Sequence, residues 1–316
     1  MHKSQLIIPF YEIVLVGVDQ LHLMQVFIAV AEEQGFASAA RRLLMSPPAV
    51  TRAIASLEER LGVKLLNRTT RYVRTTEAGA RYLDDVRRIV QDVDMANEAA
   101  IGINAQPKGP LVITAPVLFG QKYVMPSIVD YLNTYPDTQV EAVFLDRVVN
   151  LLEEGFDLGV RIGHLPDSSM HAKTVGSVRL MLVAAPEYLA QKGTPQMPSD
   201  LLNHTLISSS AGNMAHDWHF EYQKKKQSLR IHPRLTATAN QGVINAAKAG
   251  LGITRVISYQ VTQELNEGSL ISILQDHELP PLPIHIIHRE GRLVSSKLRC
   301  FIDLLAGQLK ANRELN

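Results

Sequence analysis

Residues that could perform catalysis or bind a metal are few and poorly spaced in this chain of 316 residues. Two His-x-x-His pairs occur, His216/His219 and His285/His288. The first pair lies in a loop pattern, and the second lies in an alternating strand pattern, where residues three apart face opposite sides. Neither pair has the neighbouring carboxylate or cysteine that would complete a zinc site. The sequence therefore predicts neither a metal site nor any other cofactor.

Motifs for nucleotide chemistry and for acyl transfer do not appear either. Gly250-Leu251-Gly252 lacks the third glycine of a dinucleotide-binding loop, and no Gly-Lys-Ser/Thr phosphate loop is present. The serine run at 208–210 lacks the glycines of a nucleophile elbow. We therefore predict that the chain is not an enzyme.

The functional groups that do cluster are basic, and they lie near the N-terminus. Lys and Arg number 32 in the whole chain against 31 Asp and Glu, so the total is almost balanced. Residues 19–76, in contrast, carry eight bases against five acids, and the stretch 64–74, "KLLNRTTRYVR", has four bases and no acid. A local cationic surface of this kind indicates an anionic partner such as nucleic acid.

Two helical patterns flank a pair of prolines, Pro47 and Pro48, in the middle of this basic region. Proline is tolerated at the first positions of a helix and Ser46 is a typical N-cap residue, so the prolines open a new helix. Apolar residues repeat at helical spacing on both sides of them, and the first of three helices is expected to end at Gly35. These residues are Leu21, Met24, Phe27, Ile28 and Ala31, then Ala40, Leu43 and Leu44, then Val50, Ile54, Leu57 and Leu61. Three such helices with a tight last turn predict a helix-turn-helix.

Polar groups are expected on the opposite face of the third helix. With the apolar stripe inward, Pro48, Thr51 and Arg52 project outward from its first turns, and Arg41 lies on the preceding helix. The basic stretch that follows the third helix favours a short β-hairpin, a wing that could lie along DNA phosphates. The alternative interpretation is a solvated helical hairpin with ordinary surface arginines.

Four ordered motifs, "FASAARRL", "SPPAVTRAI", "LEERLGVKLLNRTTR" and "TTEAG", lie within residues 19–79. This segment resembles the DNA-binding module of LysR-type transcriptional regulators, and "EEGFDLGVRIGHLPDSS" resembles the ligand-sensing part of the same family. The resemblance implies an α + α/β architecture, in which a winged helix-turn-helix and a long linker helix precede a two-lobed α/β effector domain like that of periplasmic binding proteins. The expected bounds are 18–76, 77–105 and 111–309, with lobe 1 at about 111–178 and 280–309 and lobe 2 at about 179–279.

The resemblance and the helical pattern together assign DNA-contacting roles. Ser46 and the wing arginines would hold phosphates, and Pro48, Thr51 and Arg52 would read the major groove. The expected DNA-binding residues are Arg41, Ser46, Pro48, Thr51, Arg52, Arg68, Thr69, Arg71 and Arg74.

Residues 77–105 form one long helical pattern whose apolar residues alternate at spacings of four and three. Such a heptad seam favours a coiled-coil dimer, which would bring two recognition helices to two half-sites. The alternative is a helix that packs on its own domain. The expected dimerisation residues are Tyr82, Val86, Ile89, Val93 and Ala96.

From Leu111 onward strands alternate with helices, which indicates parallel α/β units. Strands are expected at 111–115, 138–145, 157–162, 179–184, 205–208 and 283–290. Helices are expected at 120–135, 148–154, 241–249, 257–265 and 295–309.

Ligands of open α/β sheets bind beyond the carboxyl ends of strands, beside helix N-termini. The segments 114–121 and 238–245 form two such ends, whose backbone N–H groups suit a carboxylate or another small anion. The resemblance also brings Arg161, Ser208 and Ser209 to the wall of this cleft. The expected effector-binding residues are Pro116, Val117, Leu118, Phe119, Arg161, Ser208, Ser209, Asn240 and Gln241.

This cleft departs from related sequences in a way that bears on the effector. Leu118 replaces a common hydroxyl residue, and Gln241 and Val243 replace acidic ones. A more apolar and less charged effector follows as a hypothesis. The alternative is that Leu118 and Phe119 simply pack between the lobes.

The ends of the chain and its cysteine usage indicate the compartment. The apolar stretch 6–18 is shorter than the roughly 20 residues of a membrane span and has no signal-peptide cleavage site. Because related chains begin near Val18, we interpret residues 1–17 as an extension from a mis-annotated start. The single cysteine, Cys300, excludes an internal disulfide and fits the cytoplasm; a core position is favoured over a redox-sensing thiol.

The sequence thus predicts a sequence-specific DNA-binding transcriptional regulator of the LysR type, modulated by a small molecule bound between two lobes. Its expected partners are double-stranded DNA, a small carboxylate or an apolar or aromatic acid, and a second copy in a homodimer or homotetramer, with RNA polymerase as a further candidate and no membrane. Two alternatives remain open: a solute-binding protein with dimerising N-terminal helices, and a regulator that needs no effector.

Overall fold

The computed structural model describes residues 10–68, 73–101, 106–165, 170–210, 217–222, 225–288 and 294–315. The chain divides into two compact units, residues 1–102 and residues 103–316. Among the described helices, none combines the length and the apolar character that a membrane span requires.

The N-terminal unit is a winged helix-turn-helix followed by a long helix. Its apolar core joins the first three helices to the hairpin, and Val26, Phe27, Val50, Ile54 and Leu57 lie at its centre with no exposed surface. The elements are α1 (Phe10–Glu33), α2 (Phe36–Arg42), α3 (Pro47–Leu61), β1 (Leu66–Arg68), β2 (Val73–Thr75) and α4 (Glu77–Ile101). The predicted helices and wing are confirmed.

Helix α1 begins earlier than the pattern predicted. It starts at Phe10 and passes through Glu12, so part of the segment interpreted as an extension is helical. Residues 1–9 of that segment, and the end of the expected linker helix at 102–105, lie outside the described residues.

The turns of this unit differ from the sequence prediction at three places. Gln34, with φ 50°, takes the left-handed conformation expected of Gly35, which instead precedes α2 in extended conformation. Leu44, assigned to the inner face, lies in the turn before α3 with φ 54° and is 94% exposed. Leu61, at the end of the stripe, is also exposed. The helical spacing of apolar residues continues in the sequence at Leu44 and Leu61, although the chain has already turned away from the core at these positions.

The C-terminal unit contains two five-stranded sheets, one in each lobe. The first has the order β4-β3-β5-β14-β6 and the second β11-β8-β12-β7-β13. The strands of the first are β3 (Gly109–Ala115), β4 (Thr138–Phe144), β5 (Leu158–Ile162), β6 (His171–Val178) and β14 (Leu282–His288). Those of the second are β7 (Leu180–Ala184), β8 (Leu206–Ser209), β11 (Leu235–Ala237), β12 (Ile253–Ile257) and β13 (Ile271–Ile273).

Among the described residues, a hairpin and six α-helices cover these sheets. The hairpin of β9 (Asp217–Tyr222) and β10 (Lys225–Arg230) buries Trp218 and Phe220 in the core of lobe 2. The helical segments are α5 (Val117–Phe119), which continues through a π turn at Gly120–Val124 into α6 (Met125–Thr134), then α7 (Pro186–Lys192), α8 (Asn240–Lys248), α9 (Thr262–Asn266) and α10 (Ser296–Ala311).

Three expectations for this unit were wrong. The sheets are mixed, because β14 runs antiparallel to both β5 and β6, and β7 runs antiparallel to both β12 and β13. Residues 148–150 form an irregular loop and 151–155 form turns, in which the Asn150 side chain accepts the N–H groups of Leu152 and Glu153 and competes with a helix. The helix expected at 257–265 is split, because β12 runs to Ile257 and a short 3-10 turn precedes α9.

The chain passes between the lobes at two places. One is Arg179, between β6 and β7, and the other is the segment 274–281 that leads back to β14. Arg179 and Ser258 close the first crossing: the Arg179 N–H donates to Ser258 Oγ at 3.1 Å, and the Ser258 N–H donates to the Arg179 carbonyl at 2.8 Å.

Candidate nucleic-acid interface and effector cleft

The exposed start of α3 is the centre of the candidate nucleic-acid interface. Ser46 caps the helix, its Oγ accepting the Ala49 N–H at 3.4 Å. Pro48, Thr51 and Arg52 are exposed on one face, as predicted, while Val50 on the opposite face has no exposed surface. A rigid, capped helix start therefore presents a hydroxyl and a guanidinium to solvent.

The Thr51 hydroxyl has a defined orientation on this face. It donates to the Pro47 carbonyl at 3.0 Å. Because the hydroxyl proton already takes part in this bond, the Thr51 oxygen can only accept a further hydrogen bond. The methyl group of the exposed side chain lies beside it.

The wing is joined to α3 by a buried acid, Glu58, that the sequence prediction missed. Its Oε1 accepts the N–H groups of Leu65 at 2.9 Å and Leu66 at 3.2 Å, and its Oε2 pairs with Lys64 at 2.8 Å. Burial alone would raise the pKa of Glu58, but these hydrogen bonds outweigh it and hold the pKa below its ordinary value. The signal was its position four residues after Ile54, on the inner stripe of α3.

The wing arginines are described only in part. In the hairpin, Arg74 pairs in register with Asn67, and its side chain is exposed. Arg68 lies in β1, and Thr69 and Arg71 lie outside the described residues.

Two neighbouring arginines at the end of α2 differ in their partners. Arg42 pairs with Glu32 at 2.8 Å and with Glu33 at 3.5 Å, so acidic groups of α1 compensate its charge. Arg41 donates instead to the neutral Ser38 hydroxyl at 3.3 Å. Of the two, Arg41 is therefore the better candidate for a phosphate contact.

The predicted dimer seam of α4 has two different halves. Val86 has no exposed surface and Tyr82 packs on the same core, its ring centroid 5.6 Å from that of Phe27. This half matches the alternative of a helix packed on its own domain. Further along, Ile89 is 44% exposed, Val93 is half-buried and Ala96 is exposed. Only this second half leaves side chains for a partner helix, and its role in dimerisation stays a prediction.

In the effector domain an internal carboxylate links the two expected helix N-termini. Asp146, in the loop after β4, accepts the Val117 N–H at the start of α5 through Oδ1 at 2.9 Å. Its Oδ2 accepts the side-chain amide of Asn240, the first residue of α8, at 3.1 Å. Because α5 belongs to lobe 1 and α8 to lobe 2, this bridge crosses the cleft. Sequence reasoning named Val117 and Asn240 but not the acid that joins them.

The two apolar residues at the start of α5, Leu118 and Phe119, differ in burial. Phe119 has no exposed surface and packs in the core of lobe 1, its ring centroid 5.2 Å from that of Tyr259. It is therefore not available to a ligand in this arrangement. Leu118 is half-buried and contacts the cores of both lobes, as the packing alternative expected.

The remaining expected effector residues, all polar except Pro116, differ in exposure. Arg161 lies near the end of β5, where Nη1 donates to the Val160 carbonyl at 3.0 Å, and burial lowers the pKa of its guanidinium. Nη2 of this guanidinium is buried and has no hydrogen-bond partner among the described residues. Ser208 and Ser209 end β8 and are buried, while Gln241 is exposed and Pro116 is half-buried just before α5.

The described residues hold no group of three or more His, Cys, Asp or Glu side chains arranged to bind a metal ion. His216 of the first His-x-x-His pair lies outside them. His285 contacts Thr174 at 3.2 Å, and burial lowers the pKa of its imidazole.

A winged helix-turn-helix combined with a two-lobed α/β domain defines a class of transcriptional regulators that bind DNA and respond to a small molecule. Residues 21–80 match the family described as "Bacterial regulatory helix-turn-helix protein, lysR family", and residues 104–310 match the family described as "LysR substrate binding domain". The chain belongs to the LysR-type transcriptional regulators. Members of this family are regulators rather than enzymes, and the match at 21–80 removes the basis for the solute-binding alternative.

Full-length relatives support the assignment over nearly the whole chain. The HTH-type transcriptional regulator CrgA of Neisseria meningitidis is 30% identical over 92% of this chain and 97% of its own. The HTH-type transcriptional activator AaeR of Escherichia coli is 31% identical over 91% and 93%. Among solved structures, CrgA matches with a TM-score of 0.59 over 92% of this chain and 99% of its own, at 30% identity. The Vibrio cholerae virulence activator AphB matches with a TM-score of 0.58 over 92% and 98%, at 27% identity.

Proposed function

We propose that this regulator binds its operator in the cytoplasm as a homodimer or homotetramer. The start of α3 inserts into the major groove, and the bound regulator contacts RNA polymerase. The observation that carries the proposal is the exposed, Ser46-capped face of Pro48, Thr51 and Arg52, set against a fully buried Val50. A helix start is the part of a recognition helix that contacts base edges.

The side chains of this face have distinct roles in the proposal. Arg52 donates two hydrogen bonds to a guanine, and the Thr51 oxygen accepts from an amino group of a neighbouring base. Pro48 supplies apolar contact. Arg41, Ser46 and Arg74, together with Arg68, Thr69 and Arg71 of the wing, hold phosphates on either side of the groove.

A gel-shift assay with the DNA upstream of the protein's own gene tests this role. Arg52→Ala should lose about 1–3 kcal/mol of discrimination between the operator and a scrambled duplex. Arg81→Ala, which removes the same charge from an exposed position on α4, is the matched control and should keep the discrimination. Equal loss in both variants, or none in either, rejects Arg52 as a base-reading residue.

Dimerisation in the proposal uses the second half of α4, where Ile89, Val93 and Ala96 lie beyond the part packed on the winged helix. Apolar residues at this spacing form a seam with a partner helix, and two linked modules place two copies of α3 on half-sites.

The effector in the proposal binds at the cleft that Asp146 now bridges. An acidic effector at this site must displace the Asp146 carboxylate from the Val117 N–H, because both are acceptors for the same donor. Arg161, with a buried Nη2, supplies the compensating cation. Binding then exchanges the bridge between the lobes for contacts with the effector, which shifts the equilibrium between two lobe arrangements.

A thermal-shift screen with small aliphatic and aromatic acids tests the effector role. A compound that binds only the native cleft should raise the melting temperature in proportion to the logarithm of its concentration. The effect should be larger in Asp146→Ala, which removes the competing acceptor of the Val117 N–H, than in Asp137→Ala, an exposed control in lobe 1. Absence of any shift in all three proteins would favour the regulator that needs no effector.

A further inference from the structure

The turn between α2 and α3 carries an apolar side chain that the fold does not cover, that of Leu44. It is 94% exposed, the largest exposed fraction among the large apolar residues that the structure describes. The next residue, Met45, packs against the core of the N-terminal unit, and Ser46, the cap of α3, is exposed again. The Leu44 side chain is therefore open to solvent immediately before the recognition helix.

The backbone of Leu44 is also strained. With φ 54° it lies in the left-handed region, which is costly for a residue with a side chain. One other leucine among the described residues has a positive φ, Leu274, and it packs against the core of lobe 2. Single exposed leucines are common on protein surfaces, but Leu44 combines exposure with strain and lacks the packing that would compensate either.

The position of Leu44 places it among groups that the proposed function assigns to DNA. Its N–H donates to the Arg41 carbonyl at 3.2 Å, and its Cα lies at most about 7 Å from that of Ser46, two residues later. Both residues are candidate phosphate contacts, and the exposed Pro48 follows them. An apolar side chain at this place fits an apolar group at the edge of the major groove. The apolar group that distinguishes base pairs there is the C5-methyl of thymine.

We propose that Leu44 contacts the methyl group of a thymine in each half-site and so adds apolar readout to the hydrogen bonds of α3. The inference rests on the proposed insertion of α3 into the major groove. Contact with the methyl group removes apolar surface from water, and the defined backbone of the turn orients the side chain before DNA binds. An exposed and strained leucine destabilises the free protein, and the contact with DNA offsets this effect.

Replacement of thymine by uracil removes only this methyl group from DNA. The DNA upstream of the protein's own gene is prepared with thymine or with uracil throughout, and the dissociation constant of the full-length protein is measured for each duplex by gel shift. The wild type should bind the thymine duplex more tightly, by about fourfold for each methyl group that Leu44 contacts.

Leu44→Asn assigns this difference to one side chain. Asparagine tolerates the left-handed region, so the variant should fold, and the ratio of the two affinities should fall by about fourfold for each lost contact. Other methyl contacts and the changed stiffness of uracil DNA affect wild type and variant alike, so the change in the ratio reports on Leu44. Leu202→Asn, the same change at an exposed leucine of the effector domain, is the matched control and should keep the wild-type ratio.

Two results overturn the proposal directly. One is a ratio that Leu44→Asn leaves unchanged. The other is a loss of affinity that is equal for both duplexes, because it would indicate contact with the sugar-phosphate backbone. Unchanged binding of both duplexes, with loss of activation of purified RNA polymerase, would assign Leu44 to a protein contact and overturns the proposal as well.

The Arg52 variant separates this inference from the proposed function. Loss of operator discrimination in Arg52→Ala, together with an unchanged ratio in Leu44→Asn, keeps the proposed function and overturns the role of Leu44. Normal discrimination in Arg52→Ala, together with a lowered ratio in Leu44→Asn, supports the role of Leu44 and rejects that of Arg52.

Discussion

The two units of the molecule differ in whether certain buried charged side chains have hydrogen-bond partners. In the winged helix, Glu58 is 3% exposed and is satisfied by two backbone N–H groups and by Lys64. In the effector domain, the guanidinium groups of Arg161 and Arg255 each have a buried nitrogen without a hydrogen-bond partner among the described residues. The buried carboxylate of the DNA-binding unit is thus satisfied from within, whereas these two cations of the effector unit are not, although Glu264 of the same unit pairs with Lys248 at 3.3 Å.

This difference follows from what each unit binds. DNA is contacted by an outer surface, so the interior of the winged helix only has to hold α3 and the wing in a fixed geometry. A small molecule enters the protein, and the groups that recognise it must lie inside and must be free to bind it.

The largest effect is expected when the satisfied charge is removed. Glu58→Ala leaves two buried N–H groups without an acceptor and should destabilise the N-terminal unit by about 3 kcal/mol. Chemical denaturation of the full chain followed by circular dichroism measures this. The unfolding of the effector domain, followed by Trp218 fluorescence, should not change. Lys64→Ala, at the exposed end of the same pair, is the control and should cost about 1 kcal/mol or less. A loss from Glu58→Ala no greater than from the control would contradict the comparison.

The opposite sign is expected for the unsatisfied charge. The Arg255 guanidinium lies 5.1 Å from the centroid of the Trp218 ring and makes no ion pair with any described residue. Arg255→Met removes this uncompensated cation while keeping an apolar side chain beside Trp218, and should stabilise the effector domain by about 1–2 kcal/mol. Denaturation monitored by fluorescence in the absence of any carboxylate measures the change. A destabilisation of the same size would mean that Arg255 has a structural partner, and the two units would then not differ.

A smaller effect concerns strain at the surface of the N-terminal unit. Leu44 occupies the left-handed region and buries almost nothing, so Leu44→Gly should stabilise this unit by about 0.5–1 kcal/mol. Thermal unfolding measures the gain. Leu43→Gly, one residue earlier at negative φ and packed on the core, should destabilise instead. If both changes destabilise, Leu44 has a contact that its exposure does not reveal.

The smallest effect is the dependence of the N-terminal unit on acid. The pKa of Glu58 is lowered in the folded state, so its contribution is complete above the unfolded pKa, near the ordinary value of 4.5, and is lost as the pH falls through the lower folded value. The effect is small because burial opposes the hydrogen bonds. Denaturation midpoints from pH 6 to pH 3, compared between the wild type and Glu58→Gln, should converge at the acidic end. Midpoints that stay parallel would exclude titration of Glu58.

The local part of this fold could be predicted because local rules determine it. Ser46, Pro47 and Pro48 set the start of α3 through capping chemistry, and the stripe from Val50 to Leu57 set its inner face. The same rules failed where chain direction depends on distant contacts, as at Leu44 and in residues 148–154. The sequence also placed the dimer seam on Tyr82 and Val86, because periodicity does not distinguish a partner helix from the core of the same domain.

The candidate sites show the same difference between features set by local spacing and features set by distant contacts. Pro48, Thr51 and Arg52 could be assigned from one helix, since their common face follows from spacing alone. Asp146 with Asn240, and Arg255 with Trp218, could not, because each pair comes from segments far apart in the chain.

The order of residues by itself determined the recognition helix, its cap and its basic surroundings, since each depends on neighbours within a few turns. Only the tertiary structure decided which buried charges have partners. That property depends on strand register and on the approach of loops from different parts of the chain, and hydrophobic periodicity contains no information about either.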